Sequence, residues 1–459
     1  MSDNSYVLLK KYTEHLKKPS LTWYVIMGIM GLLVLVGFYA LIQQIVHDHI
    51  ITGMRDNVVW GAYIVNFIFL LGVSYAGAII SGAFHLGRID WGKPLIRIIE
   101  IITFITILIG PIYILLCIGR LDRLHYLFIH ARIQSPIIWD LIAVIIDLIL
   151  CTFYLYLTFI KDFSLMYLNS DKLGLANWQK KLFKFLSLGY TATPQQKKRL
   201  NRALDVMAAL IIPTAVVAYS LLAWLFGMNL KAGWDDSLFA PYFIVSAIFS
   251  GFAIVIILMF LVRKIYKAES ILTDGHFNFI AYGMFIMALI FGYFTFSDYI
   301  TRWYNTTQGN SELIYKYLSL DHYGYMTYIM LIFTSIIPIL VIAIPALRSK
   351  VSYFISAILV LIGLWLFRYL IIVPVLETPY FPIVSTDPDV LEYSATWIEW
   401  ALVVAGFAGA IMLYMIILKI VPVFPIADMQ ESHSFKLFGK YSIDKLLGQK
   451  HYSNKLSDS

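Results

Sequence analysis

The chain has 459 residues, 60% of them hydrophobic and only 14% charged, with a mean hydropathy of +0.77. These values exclude a soluble domain and require an integral membrane protein. A net charge of +7 would suit nucleic acid, but the basic residues gather in particular loops, as membrane orientation demands, so nucleic acid is excluded as a partner.

Residues 1–22 read as a polar N-terminus, and no cleavable signal sequence is expected, since the apolar run behind them is long enough to remain as a span. Crossing a bilayer takes about 20 apolar residues. Ten runs qualify: 23–46, 58–84, 98–118, 137–160, 206–228, 239–262, 277–297, 324–347, 353–376 and 396–418. Helices are expected throughout, because lipid offers no water to an open sheet edge. The fold class is thus all-α and integral to the membrane. Between the fourth and fifth spans, residues 161–205 contain "NWQKKLFKFLSLGY" and "PQQKKRLNR". They are predicted as a surface-lying amphipathic segment and a basic linker dividing two halves. A tail, 419–459, follows the tenth span.

Lys and Arg divide unevenly between the two sides. The termini and even-numbered loops hold 27 and the odd-numbered loops 7, which with Arg368 inside a span account for all 35. Both termini are therefore expected in the cytoplasm and the chain in the cytoplasmic membrane. One outward connection breaks the pattern. "CIGRLDRLHYLFIHARIQSPIIWD", 117–140, holds Arg120, Arg123 and Arg132 with Asp122 and Asp140. Two readings stay open here: a docking surface or polar pocket, or charges that pair with one another and with lipid phosphates.

A charge at mid-membrane costs about 3 kcal/mol and tends to be functional or tightly paired. Five lie within spans: Glu100, Asp140, Asp147, Arg368 and Glu399. Asp140 and Asp147, seven residues apart, share a helix face about 10 Å apart. Tyr63 and Asn66 share a face in span two, with Asn66 about 9 Å below Trp60. These groups converge on the outer half of the membrane, except Glu100 near the cytoplasmic end. Asp147 also reads as a hydrogen bonder between packed helices, and Asp140 as a helix start.

Cys117 and Cys151 supply neither a disulfide framework nor an iron–sulfur ligand set. All ten histidines lie at span ends, in loops or in tails, so no pair of axial haem ligands forms at mid-membrane. A P-loop, an HExxH and a nucleophile elbow are also missing. No metal site is expected.

The run "MRDNVVWGAYIVNFIFLLGVSYAGAIISGAFHL", followed by "IDWGKPLIRIIEI", "CIGRLDRLHYLF" and "SPIIWDLI", resembles the NrfD-like family, the membrane subunits of polysulfide reductases and related complexes. "FAPYFIVSAIFSGFAIVIILM" and "GYFTFSDYITRWYNTTQGNSELIYKY" resemble its ten-helix branch, which includes the large membrane subunits of alternative complex III. The resemblance implies two four-helix bundles, 58–160 with 206–228 and 239–376, flanked by spans one and ten. It also implies quinol bound near the outer face beneath an iron–sulfur subunit, often with a molybdopterin-type subunit and a second membrane subunit, and no haem.

Family members often carry a histidine in the second span, where this chain has Asn66, Ser74 and Tyr75. Neither tyrosine nor asparagine accepts a proton near neutral pH. The expected proton acceptors are therefore Asp140 and Asp147. Trp60, Tyr63, Asn66, Tyr75, Arg120 and Asp122 are expected around a quinol head group, and Glu100 and Arg368 along a proton path. Arg368 belongs to the second half and is not expected to reach span four. Two rival functions are a membrane anchor or proton-conducting subunit without quinol, and a secondary transporter.

Overall fold

The computed structural model describes residues 19–431 apart from 120, 230, 236, 306 and 379–391. The expectations for Arg120, for most of the 377–395 loop and for the far tail lie outside the described residues. Among those described there are ten helices long and apolar enough to cross a membrane, and no strand. We number them α1 (Leu21–His47), α2 (Gly61–Leu86), α3 (Lys93–Cys117), α4 (Pro136–Leu168), α5 (Pro194–Gly227), α6 (Phe239–Ile265), α7 (Asp274–Tyr304), α8 (Gly324–Ala343), α9 (Lys350–Leu376) and α10 (Trp397–Ile420). The face where α1 begins is called near, and the face where it ends far.

Two helices exceed their apolar runs. α4 continues to Leu168, and α5 starts at Pro194 rather than at 206, so most of the expected basic linker is helix. The reason is local. Thr193 caps α5 by accepting from Gln196 N–H at 3.3 Å, Gln196 reaches back, and Pro194 fills the first turn, where a missing N–H costs nothing. The short helix Asn177–Leu186 lies against α4 through Phe183, with Trp178 and Phe185 exposed.

α2 is the hub: it packs on α3, α5 and α6 and also touches α9 and α10. Its most apolar stretch is 94% buried, against 11% for α1, whose open face is left to lipid. Small residues let α2 approach its neighbours closely. A Cβ at Gly77 would stand 2.0 Å from Thr103 Oγ1 of α3. α3 and α5 each meet α4, which closes a ring of contacts α2–α3–α4–α5; a second ring runs α6–α7–α8–α9, and α1 lies along α10. α8 widens to a π-turn at Ile332–Ile336, just before Pro338. Proline offers no N–H and crowds the carbonyl four residues back, so the ladder shifts there.

The far face is closed by buried polar contacts. Glu399 sits at the third position of α10 and completes its capping box, accepting from Thr396 N–H at 3.0 Å and from Gly53 N–H at 2.7 Å. Its other oxygen accepts from the Tyr393 hydroxyl at 2.5 Å, which in turn accepts from Ala62 N–H at 2.8 Å. Gly61 follows Trp60 at φ +33° directly under the Tyr393 ring, where no side chain fits. One carboxylate thus ties three chain segments together. Across the same face, Lys231 and Lys316 donate to the Leu376 and Glu377 carbonyls that end α9. Burial, and then the neighbouring Lys316, hold the Lys231 ammonium below its ordinary value, while burial pushes the Glu377 carboxyl up.

Candidate functional site

α4 carries a polar stripe. Asp140, Asp147, Cys151, Tyr154, Thr158 and Asp162 follow one another at intervals that keep side chains on one helix face, and all are buried. The helix rises about 33 Å over that distance, close to the thickness of a bilayer's hydrocarbon core. Side chains of α2 and α3 meet it along its length.

At the far end, Asp140, Asp147 and Tyr75 of α2 are close enough to interact electrostatically. Tyr75 also approaches the Asp147 carboxyl, yet its hydroxyl, both Asp147 oxygens and Asp140 Oδ1 have no protein hydrogen bond of ordinary geometry. A buried polar atom left without a partner costs about 1–3 kcal/mol. Water or a polar ligand relieves that cost.

The Tyr75 ring meets Tyr219 of α5 edge-on, with centroids 5.5 Å apart. The Tyr219 hydroxyl donates to the Ile68 carbonyl and accepts from Arg368 Nη2, each at 3.3 Å. Arg368 therefore reaches into the first half, where its guanidinium lies 5.3 Å from the Phe69 ring centroid. Gly72 makes this possible, since a Cβ there would stand 2.7 Å from Nη2 and 2.8 Å from the Tyr219 hydroxyl. Its hydrogen bonds and ring contact lie on α2, α5 and α9 and not on α4, and Tyr219 and Tyr75 stand between it and Asp147.

Midway, Cys151 lies between Asp147 and Glu100, near enough to feel both. Beside it is a cavity lined by Ser81, Glu100, Thr103, Cys151, Tyr154 and Ile211, with space for about one water. Glu100 accepts from Ser81 Oγ at 3.2 Å and from Thr158 Oγ1 at 2.8 Å. At the near end Arg97 donates to Asp162 at 2.6 Å and to the Thr158 carbonyl at 3.1 Å. The segment after α10 caps this end: Ala427 N–H donates to Asp162 at 3.0 Å, and Asp428 pairs with Lys161 at 2.7 Å.

The other expected site residues turn elsewhere. Tyr63 donates to Gln44 of α1 at 2.6 Å, and Gln44 donates to the Leu116 carbonyl at 2.9 Å. Asn66 donates to the Ala62 carbonyl and accepts from the Trp365 indole at 3.1 Å, pinning α2 to α9. Trp60 stacks on Trp234 at 6.4 Å and meets Phe226 edge-on. Asp122 is exposed in the short turn Leu121–Arg123 on the far face. So the structure brings Tyr75 to Asp140 and Asp147, sets Glu100 along the same stripe, and keeps Trp60, Tyr63 and Asn66 in helix packing. Tyr154, Thr158, Asp162, Arg97 and Tyr219 join the site unforeseen; for the first three, the helical spacing of polar residues within 136–168 was the available signal. Among the described residues no group of three or more His, Cys, Asp or Glu side chains is placed to hold a metal.

Ten apolar helices enclosing a row of buried carboxylates define a multi-pass integral membrane protein. Residues 50–379 match the polysulphide reductase, NrfD family, and the chain belongs to that family. It is also 28% identical over 242 residues to a protein of Halobacterium salinarum described as a putative membrane subunit of dimethyl sulfoxide reductase. That match covers 52% of this chain and 51% of the relative, so the chain spans about half the length of the relative it matches.

Proposed function

We propose that this chain is the membrane subunit of a respiratory oxidoreductase, exchanging electrons between membrane quinol and an extracytoplasmic iron–sulfur subunit. Membership of the NrfD family and the description of the halobacterial relative support the oxidoreductase part. One observation carries the chemical part: Tyr75, Asp140 and Asp147 gather buried oxygens that have no protein hydrogen bond of ordinary geometry. Such a set fits a quinol, which needs a hydrogen-bond partner and a base. When bound and oxidised, a quinol supplies two electrons and two protons. Tyr75 would orient a hydroxyl, Asp147 would accept its proton, and Asp140, nearer the far face, would pass the proton outward. The 118–135 connection, with Arg120, Asp122 and Arg123, would anchor the iron–sulfur subunit. A molybdopterin-type subunit and a second membrane subunit would make up the rest of the assembly, as in alternative complex III. The far face would then be extracytoplasmic and both termini cytoplasmic.

A density map of the purified complex tests this reading. A quinone head group within hydrogen-bond distance of Tyr75 or Asp147 is the expected result. A quinone held only by another subunit would overturn it.

A second reading has its own support. The α4 stripe continues past Asp147 to Asp162, with Glu100 of α3 beside it, further than quinol chemistry at one site requires. Here the chain conducts protons along α4, with Glu100 as carrier and the Arg368 charge biasing Asp147 through Tyr219, and quinol is oxidised elsewhere in the complex. Photoaffinity labelling with a quinone analogue separates the two, marking α2 or α4 in the first case and another subunit in the second.

A further inference from the structure

Glu100 has two routes to the near face, and they are built differently. The first runs through Thr158, Arg97 and Asp162. There both Asp162 oxygens are engaged, one by Arg97 and one by Ala427 N–H, and Lys161 is paired with Asp428. Val423, Phe424 and Ile426 are buried over this end. Thr158 and both Asp162 oxygens are engaged, Arg97 is left with Nε and Nη1 without a hydrogen bond, and the exit is covered by apolar chain.

The second route crosses the cavity. Tyr154 lines it opposite Glu100 and Ser81, and its buried hydroxyl has no hydrogen bond of ordinary geometry although it lies close to Ser81. Next to the Tyr154 ring, edge-on with centroids 6.3 Å apart, is His85 in the last turn of α2. His85 Nε2 lies 3.1 Å from Asp205 Oδ1 of α5, and the two side chains are 24% and 51% exposed. Asp205 also lies near enough to Tyr154 to act on it. The groups facing His85 are thus Asp205 from α5 and Tyr154 from α4, with Glu100 of α3 behind. An imidazole is the side chain suited to exchanging protons with water.

From this juxtaposition we infer that the His85–Asp205 pair is the port through which protons pass between near-face water and Glu100, with Tyr154 as the relay. One proton moves per event: His85 takes it from water and hands it towards the Tyr154 hydroxyl, while that hydroxyl releases its own across the cavity to Glu100. No electron is exchanged and no bond other than O–H and N–H is made or broken. This inference rests on the reading of Glu100 as a proton carrier.

The test is stopped-flow infrared spectroscopy of the full-length protein in nanodiscs after a pH jump, following the Glu100 carboxyl band identified by its loss in Glu100→Gln. His85→Ala and Asp205→Asn are expected to slow the response by about tenfold or more, and free imidazole to restore the rate in His85→Ala but not in Tyr154→Phe. Imidazole rescue shows the variant to be folded. Unchanged rates in both His85→Ala and Asp205→Asn would overturn the port while leaving Glu100 as a carrier reached by another route. A Glu100 band that ignores the pH jump in the unaltered protein would overturn the port together with the carrier reading.

Discussion

Tyr63 and Tyr75 sit twelve residues apart on the same helix and are equally buried, yet their hydroxyls meet different fates. Tyr63 is bonded to Gln44, whereas Tyr75 faces Asp147 without a settled bond. On the proposed function, the distinction separates residues that hold the helices together from one that meets quinol. Tyr63→Phe strands the Gln44 oxygen and should cost about 1–3 kcal/mol of stability. Asn66→Ala, which strands the Trp365 indole, should do the same, and both variants should keep the turnover of the purified complex. Tyr75→Phe removes an unsatisfied hydroxyl, so its thermal midpoint should hold while turnover falls by about tenfold or more. Midpoints and rates measured on the same preparations check the whole set. At this scale the sequence was half legible. Asp140 and Asp147 stood out because a carboxylate in an apolar run is costly, but whether a polar side chain has a partner depends on helices distant in sequence: Trp365 for Asn66, Gln44 for Tyr63. Glu399 shows the converse, a charge in an apolar run whose task is capping.

Among the elements, α1 and α10 are joined by close backbone approach, with Lys419 also lying 5.8 Å over the Trp23 ring. A Cβ at Gly37 would lie 2.1 Å from the Ala405 Cβ and 3.3 Å from the Ala401 carbonyl. Gly37→Val should therefore push the pair apart and destabilise the detergent-purified protein by about 1–3 kcal/mol. Crosslinking between cysteines placed on α1 and α10 should fall in parallel, and unchanged crosslinking would show that the pair tolerates the extra volume. Apolar runs located every one of these elements, because a span is defined by its greasy length. They could not mark where α4 ends and α5 begins, since both helices extend beyond their apolar runs and these limits are set by Asn169 and by the Thr193 cap. Nor did they reveal the π-turn of α8, although Pro338 lay at the position that forces it.

For the whole molecule, orientation decides which end of the α4 stripe meets which compartment. The imbalance of 27 basic residues against 7 predicts that reporters fused at either terminus reveal cytoplasm and that one inserted within 377–395 reveals the opposite side. Termini on opposite sides would be incompatible with ten spans. The contact of Arg368 with Tyr219, and of Tyr219 with Tyr75, ties the two halves together in a way that no reading of separate apolar runs conveys.

On the proposed function, the far end of the α4 stripe accepts protons from quinol. The most direct test is the quinol-dependent electron-transfer rate of the purified complex carrying Asp147→Asn or Asp140→Asn, with co-purification of the partner subunits measured alongside. An asparagine keeps the shape and some hydrogen bonding but cannot take a proton, so the account predicts a loss of about a hundredfold or more with assembly intact. Full electron-transfer rates in both variants would contradict it.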